Sequence, residues 1–455
     1  MLLRKLWLDN VKCFAQSTEV DFTIGKAKNE PPHRWIVVYG DNGLGKSTLL
    51  RAIAVALTGK PALNFLLPTG EGWVRGAKKS AQVTVEFTRN DSSKGTADVM
   101  PGPRKKPIKV SWTIAGRRAT PIDGKRVPAG SVVLDESDGW QLFEKYIATH
   151  TEGHGWLLCG YGTHRRLTGA SSSIAEKASE HGRAGPLITL FHEGAALTSA
   201  EQWLIRLDHE ATKSHDHSRL QAVRKIVNEG LLHGGVSLGD IEPDAAYFKT
   251  PFSDRVAMSD LSDGYKTSLA LALDLLQHIA YSFDLEKVMK VDKATGVISI
   301  EAEGVVLIDE IDAHLHPQWQ RTIGAWLHAT FPKLQFIVAS HSPLIAERVS
   351  MNDGMVVRLS RKIQGKGEVV AVECVRTTDQ SLTADQSLTG PNFGLRSTRD
   401  VLVDDLRSEI ERLTKEVRAG KASPRDRAQL SAAQTRFNSE APVDVSLGAP
   451  AGAAE

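Results

Sequence analysis

Cysteine is scarce in this chain, and its few cysteines lie far apart. Cys13, Cys159 and Cys374 are the three cysteines among 455 residues. No close pair of the CxxC kind is present, so the sequence favours free thiols over a disulfide framework or a zinc site. A reducing compartment is therefore expected.

Long apolar runs are also missing. No window approaches the roughly eighteen uninterrupted apolar residues that a membrane helix needs. The first ten residues, MLLRKLWLDN, carry charges within an apolar run that is too short for the core of a signal peptide. We therefore expect a cytoplasmic protein without a membrane partner.

An excess of charge of one sign is absent as well. Lys and Arg number 56 against 54 Asp and Glu, so the formal net charge is +2 and bulk charge gives no case for nucleic acid. One local patch, within residues 91–127, contains Arg104, Lys105, Lys106, Lys109, Arg117, Arg118, Lys125 and Arg126. Apolar residues alternate through the same stretch at Ile108, Val110, Trp112 and Ile114, which predicts a basic β-hairpin. This hairpin either lies along a nucleic-acid backbone or is solvated without a ligand.

What is present is a glycine-rich turn between an apolar run and a helical pattern. Residues 40–47, GDNGLGKS, fit G-x-x-x-x-G-K-[ST]. The pattern predicts a phosphate-binding loop, because glycines let backbone N–H groups turn towards a phosphate at a helix N-terminus. Lys46 is expected to contact the β- and γ-phosphates and Ser47 to bind Mg²⁺. The nucleotide-binding set is Asn42, Gly43, Gly45, Lys46, Ser47 and Thr48.

Two adjacent carboxylates follow a second apolar strand. Residues 304–312 read GVVLIDEID. Downstream of a phosphate loop, this pattern predicts that Asp309 holds Mg²⁺ through water and that Glu310 polarises the attacking water. The cofactors predicted from the two motifs are ATP and Mg²⁺.

Two further segments accompany the acidic strand. Residues 261–265, LSDGY, precede an apolar helix, and Ser262 is placed as its N-cap, at a helix N-terminus that can receive an anion. Residues 336–343, FIVASHSP, place His341 at a strand end, where it either contacts the γ-phosphate or caps a surface turn.

The motifs GDNGLGKST, LSDGY, VVLIDEIDAHLHP and VASHSP, in this order, resemble ATP-binding-cassette (ABC) ATPases of the SMC, RecF and OLD-like group. The resemblance implies an α/β fold, a P-loop ABC-type nucleotide-binding domain whose mixed β-sheet is flanked by helices. It also implies a homodimer, or a higher homo-oligomer, that sandwiches ATP. In it, Ser262 and Gly264 of one chain face ATP on the other.

Two details depart from the usual cassette. His316 stands where many members carry the D-loop aspartate, and we expect His314 and His316 to form a protomer contact rather than a metal site. The glutamine loop has no clear match; residues 160–166, GYGTHRR, are the candidate.

The motifs divide the chain into four predicted parts. Residues 1–90 and 251–361 form the two halves of the ATPase domain, and residues 91–250 are an insertion with the basic hairpin and a helical subdomain. Residues 362–455 form a C-terminal helical extension with a disordered tail. Its helical stripe closes the chain's own core or docks a partner: Leu402, Leu406, Ile410, Leu413 and Val417.

Long heptad arms and a TOPRIM nuclease domain are not found, so we expect no nuclease in this chain. Residues 387–400, SLTGPNFGLRSTRD, together with GYGTHRR, resemble ATPase subunits of bacterial anti-phage systems such as Septu. The resemblance implies a Mg²⁺-dependent ATPase whose closure gates a nucleic acid or a partner effector nuclease in phage defence. The alternatives are a RecF-like repair ATPase that binds DNA directly and a low-turnover nucleotide-bound scaffold.

Overall fold

The structure is a computed structural model of the chain. It describes residues 1–15, 17–27, 30–88, 107–116, 118, 120–122, 125–134, 139–141, 143–144, 156–165, 182–195, 197, 199–232, 234–347, 354–364, 367–375, 410, 412–417, 426–427 and 429–434.

The strands in the described residues are β1 (Leu2–Asp9), β2 (Thr18–Asp21), β3 (Trp35–Tyr39), β4 (Ser80–Thr88), β5 (Ile108–Ala115), β6 (Thr120–Ile122), β7 (Lys125–Val127), β8 (Val132–Leu134), β9 (Leu157–Tyr161), β10 (Ser237–Ile241), β11 (Ala246–Thr250), β12 (Ser253–Ala257), β13 (Met289–Val291), β14 (Ile298–Ile300), β15 (Gly304–Ile308), β16 (Leu334–Ser340), β17 (Gly354–Gln364) and β18 (Gly367–Val375). The α-helices are α1 (Lys46–Thr58), α2 (Lys60–Leu66), α3 (Ile188–Phe191), α4 (Ser199–Ser214), α5 (Ser218–Ile226), α6 (Asp263–Ser282), α7 (Leu285–Val288), α8 (Pro317–Thr330) and α9 (Pro343–Glu347). Short 3-10 helices span Gly182–Leu187 and Met258–Asp260, and a π-helical turn spans Val227–Leu231.

A six-stranded sheet carries the predicted motifs. Its order is β18-β17-β3-β16-β15-β9. Neighbouring strands from β17 to β9 are parallel, and β18 pairs antiparallel at the edge. Strands β9, β15 and β16 are buried along their whole length, which suits near-continuous apolar runs. The carboxyl ends of β3, β9, β15 and β16 therefore meet at one edge, where ligands bind in open α/β sheets.

A second sheet, five-stranded and antiparallel, has the order β2-β1-β4-β5-β8. Helix α1 contacts strands of both sheets, and its apolar residues are buried all round. A helix that is apolar on every side must be covered on every side, which explains its place between the two sheets. The predicted α/β phosphate-loop fold is confirmed.

Strand β5 forms as predicted from its alternation, but it is not part of a free-standing hairpin. It pairs with β4 on one side and β8 on the other. The Nζ atom of Lys109 lies 3.5 Å from Oε2 of Glu86 and 4.6 Å from the centre of the Trp7 ring. This cation already has partners within the sheet, whereas Arg104, Lys105, Lys106 and Arg117 lie outside the described residues.

Helices α4 and α5, the π-helical turn and the antiparallel sheet β10-β11-β12 precede α6 in the chain. In the part of the chain that the structure describes, no helix combines the length and the apolarity that crossing a membrane requires.

The chain divides into two units, Met1–Leu382 and Thr383–Glu455. Within the described residues of the second unit, 412–417 and 429–434 are helical, and Leu413 is buried. Leu402 and Leu406, the segment 387–400 and the predicted tail lie outside the described residues. The four-part division of the chain stays a prediction.

Candidate nucleotide site

The phosphate loop leaves β3 and enters α1 through two left-handed glycines. Gly43 and Gly45 have backbone φ angles of 78° and 92°, which residues other than glycine rarely adopt. The Nζ atom of Lys46 donates to the carbonyl oxygens of Gly40 and Asp41, at 2.7 and 3.0 Å. The loop therefore folds around its own lysine. Asn42 is exposed, whereas Ser47 and Thr48 are half-buried.

The turn after β1 supports this loop from behind. Cys13 Sγ lies 3.6 Å from the carbonyl oxygen of Leu44. A Cβ added at Gly45 would lie 2.3 Å from that sulfur and 3.1 Å from the Phe14 ring. Glycine is thus required at position 45 both for its backbone angle and for space. The sequence motif indicated the first reason and gave no sign of the second.

The electrostatics of the loop centre on Lys46. Its side chain is 6% exposed. Burial lowers the pKa of Lys46, while the carboxylates of Asp309, Glu310 and Asp312 act in the opposite direction. The ammonium group therefore has fewer water contacts than an ordinary lysine and more to gain from an anionic ligand.

Asp309 follows β15 directly and is 2% exposed. Its Oδ1 atom is buried without a hydrogen-bond partner. A buried carboxylate oxygen without a donor is costly unless a cation or water satisfies it. Asp309 therefore fits a Mg²⁺ ligand. Among the described residues, no three His, Cys, Asp or Glu side chains cluster as a protein-only metal site.

The ring of His341 lies between the ammonium group of Lys46 and the carboxylate of Glu310. Nδ1 of His341 lies 3.4 Å from Nζ of Lys46, and Nε2 lies 3.9 Å from Oε1 of Glu310. The backbone N–H of His341 donates to Oδ1 of Asp312 at 3.3 Å. Glu310 itself has a left-handed φ of 45°. The structure thus brings together Lys46, Glu310 and His341, which are far apart in sequence.

Arg165, in the segment predicted as a glutamine loop, contacts the same two acidic residues through their backbone. Its guanidinium donates to the carbonyl oxygens of Asp309 and Glu310, at 2.7 and 2.9 Å. Burial lowers the pKa of Arg165 to about 10, so the group stays charged at neutral pH. The sequence pointed to this segment without singling out Arg165. Arg166 lies outside the described residues.

Ser262 and Gly264 contact a different part of the chain. Ser262 is the exposed N-cap of α6, as predicted, but its side chain makes no capping hydrogen bond. A Cβ added at Gly264 would lie 2.8 Å from the carbonyl oxygen of His314. The rings of Tyr265 and Trp319 meet edge to face, with centroids 4.7 Å apart. The LSDGY segment therefore packs on the loop that follows Glu310.

The two histidines of that loop have local roles in the structure. His314 has a left-handed φ of 64°. His316 is the N-cap of α8, and its Nδ1 accepts from the backbone N–H of Gln318 at 3.3 Å. Their predicted contact with a second protomer stays a prediction.

Two protein-family models match opposite ends of the chain. The first, described as "AAA domain", matches residues 5–146, and the second, described as "AAA domain, putative AbiEii toxin, Type IV TA system", matches residues 166–347. The first match includes the phosphate loop, and the second includes LSDGY, the acidic strand and His341. These matches support the prediction of an ATPase.

Curated relatives include a Septu protein and two retron proteins that are named as probable ATPases. The Septu protein PtuA of Bacillus mycoides is 26% identical over 87% of this chain and 45% of its own length. The Retron Vc95 probable ATPase of Vibrio cholerae is 40% identical over 32% of this chain and 27% of its own length. The Retron Ec83 probable ATPase of Escherichia coli is 33% identical over 24% of this chain and 18% of its own length. The chain thus spans less than half the length of each of these relatives.

Solved structures of SMC heads are also similar. An SMC head bound to the C-winged helix domain of ScpA has a TM-score of 0.46 at 16% identity, covering 82% of this chain and 98% of its own. The SMC head domain from Thermotoga maritima has a TM-score of 0.43 at 16% identity, covering 83% and 100%. The family models and the curated relatives confirm the predicted resemblance to ATPases of anti-phage systems.

Proposed function

We propose that the protein is a Mg²⁺-dependent ATPase whose two protomers close over two ATP molecules. The observation that carries the proposal is the placement of Glu310 and His341 beside Lys46, at the edge of the sheet where the phosphate loop begins α1. Binding groups and a carboxylate suited to activate water therefore share one site, which is what hydrolysis of a phosphoanhydride needs.

Different residues of the site bind the phosphates and the metal ion. The backbone N–H groups around Gly43 and Gly45, the N-terminus of α1 and the Lys46 ammonium bind the phosphates. Ser47 and Asp309 are the residues that would hold Mg²⁺, and the unpartnered Oδ1 of Asp309 supports this role. When bound, Mg²⁺ neutralises the charge that develops on the phosphate oxygens.

Glu310 and His341 act on the water that attacks the γ-phosphate. Because an ammonium group only donates hydrogen bonds, Nδ1 of His341 accepts from Lys46, and the neutral ring carries its proton on Nε2, towards Glu310. Glu310 takes a proton from the attacking water as general base. His341 orients the Glu310 carboxylate. When His341 and Glu310 move apart, the Nε2–H group of His341 donates towards the γ-phosphate.

The second protomer completes the site in this proposal. Ser262 is exposed at the N-terminus of a 20-residue helix, and its hydroxyl makes no cap bond. The free hydroxyl and the N–H groups at the start of α6 are donors suited to a phosphate. Ser262 and Gly264 therefore bind the ATP that the other chain's Lys46 holds.

A mixing experiment tests this shared site. Lys46→Ala chains and Ser262→Arg chains are each expected to be inactive. In a mixed dimer, the Lys46 of the second chain faces the intact Ser262 of the first, so one of the two sites is whole. Mixing equal amounts should restore roughly a quarter of wild-type turnover, because about half of randomly assorted dimers are mixed. Absence of any recovery, with both variants folded and able to dimerise, would exclude a shared site.

We further propose that closure gates a partner effector in phage defence. The names of the Septu and retron relatives support this context. The chain should protect bacteria against phage only together with its native neighbouring genes, and the Glu310→Gln variant should abolish protection. Protection by the chain alone would contradict the need for an effector.

Direct DNA binding remains the second hypothesis, resting on the basic stretch within residues 91–127. A phosphate-binding surface predicts DNA affinity that falls steeply with salt. DNA affinity that is absent, or independent of salt, would exclude it. Absence of measurable ATP turnover, with and without DNA or partner, would favour the third hypothesis, a low-turnover nucleotide-bound scaffold.

A further inference from the structure

Arg165 is a buried cation bonded to backbone rather than to a carboxylate. Its side chain is 4% exposed, and its guanidinium nitrogens bond three carbonyl oxygens. Nη1 donates to Asp309 at 2.7 Å and to Gly162 at 3.2 Å, and Nη2 donates to Glu310 at 2.9 Å. One planar group thus joins the loop after β9 to the two residues that follow β15.

The bonded backbone has a conformation that needs support. Glu310 has a φ of 45°, a left-handed backbone conformation that is strained for a residue other than glycine. Its carbonyl is held by Nη2 of Arg165, and the carbonyl of Asp309 is held by Nη1. Because the guanidinium is rigid and planar, it fixes the distance and the angle between these two carbonyls.

The loop that carries Arg165 is itself held tightly. The backbone N–H of Asp309 donates to the carbonyl oxygen of Tyr161 at 2.8 Å. A Cβ added at Gly162 would lie 2.1 Å from the carbonyl oxygen of Thr189, so this loop is pressed against the neighbouring helical segment. Arg165 therefore connects the backbone of Asp309 and Glu310 to a closely packed loop.

Arg165 also places a positive charge behind the acidic turn. Its Nε atom is buried without a hydrogen-bond partner, and the carboxylates of Asp309, Asp312 and Glu310 favour its charged form. Removing a cation from water costs free energy of folding. An apolar side chain of similar size would stabilise the fold as well or better. The cost is explained if the cation positions reacting groups.

We propose that Arg165 is a positioning residue for hydrolysis, which holds the backbone of Asp309 and Glu310 so that the Glu310 carboxylate reaches the attacking water. This inference rests on the proposed ATPase function. Arg165 does not touch the nucleotide in this role, so it should act on turnover and leave ATP binding nearly unchanged.

The test compares Arg165→Met and Arg165→Lys with the wild-type chain. Arg165→Met keeps the apolar stem and removes all three carbonyl contacts, those to Gly162, Asp309 and Glu310. We expect kcat to fall about 100-fold, as for a misplacement of the catalytic group by about 1 Å, with the ATP dissociation constant within about threefold. Arg165→Lys keeps the charge and one contact, and its kcat should lie between the two. This variant also covers the case in which Arg165→Met does not fold.

Two controls separate positioning from general damage to the fold. Arg34 also donates from its guanidinium to a backbone carbonyl, that of Lys333, at the opposite end of the sheet. Arg34→Met should therefore leave kcat unchanged. In single-turnover measurements on Glu310→Gln, adding Arg165→Met should cause less than a threefold further loss, because the residue that Arg165 positions is already gone.

The possible outcomes are distinct. If folded Arg165→Lys or Arg165→Met turns over ATP at the wild-type rate, the inference is wrong. It is also wrong if ATP affinity falls as much as kcat, or if the loss is additive with Glu310→Gln. A wild-type chain that binds but does not hydrolyse ATP, with and without DNA or partner, would instead contradict the proposed function.

Discussion

Nδ1 of His341 lies 3.4 Å from Nζ of Lys46, so the histidine that follows β16 contacts the lysine that begins α1. The two residues are 295 positions apart in the chain, and they lie beyond the carboxyl ends of two neighbouring parallel strands, β3 and β16. A single imidazole therefore lies next to both the Lys46 ammonium and the Glu310 carboxylate.

His341→Ala should slow hydrolysis by about 10²-fold, within the range for loss of one transition-state hydrogen-bond donor. His341→Gln should retain part of the rate, because the amide can still donate at the same position. Steady-state turnover together with ATP binding by calorimetry measures both effects. Equal rates for His341→Ala and wild type would show that the ring only caps the turn.

Glu310→Gln should bind ATP with near wild-type affinity and lose hydrolysis by at least about 10²-fold, because an amide cannot accept the proton of water. ATP should then accumulate in the closed state. Size-exclusion chromatography with light scattering should show an ATP-dependent dimer that persists for longer than in the wild type. Wild-type turnover by this variant would contradict the assignment of the general base.

Gly45→Ala should destabilise the protein by about 1–3 kcal/mol, because it meets both a left-handed φ and the sulfur of Cys13. Urea unfolding measures the loss. The double variant Cys13→Ala with Gly45→Ala removes the sulfur and should recover part of the stability, while the backbone strain remains. No recovery would show that strain alone causes the loss.

The lowered pKa of Lys46 predicts opposite pH effects on binding and stability. ATP affinity should fall as alkaline pH removes the ammonium proton, beginning below the pH of about 10.4 at which an ordinary lysine titrates. The unfolded chain holds this proton more tightly, so the stability of the nucleotide-free protein should rise over the same window. Lys46→Met should lose this increment of stability with pH. An unchanged increment would assign it to another group.

The sequence predicted the glycine turn between β3 and α1, because this turn is a local structure encoded in eight consecutive residues. It also predicted β5, the N-cap position of Ser262 and the strand before Asp309 from local periodicity. Each of these depends on neighbours within a few positions of the chain, which a single sequence displays directly.

Contacts between distant segments were not predictable in this way. The fit of Cys13 against Gly45 depends on how the turn after β1 folds over the loop. The hydrogen bonds from Arg165 to the carbonyl oxygens of Asp309 and Glu310 depend on the parallel pairing of β9 with β15. The pairing of β5 on both sides likewise follows from the choice of β4 and β8 as partners, which alternation does not specify.

The parallel order of the central sheet has a consequence for folding. The nucleotide site gathers the ends of β3, β9, β15 and β16, so neither end of the chain contains it alone. Contacts between such remote segments form late, because long loops must close first. ATP should therefore recognise only chains in which both ends have assembled. By binding that state alone, it should protect newly made protein from proteolysis.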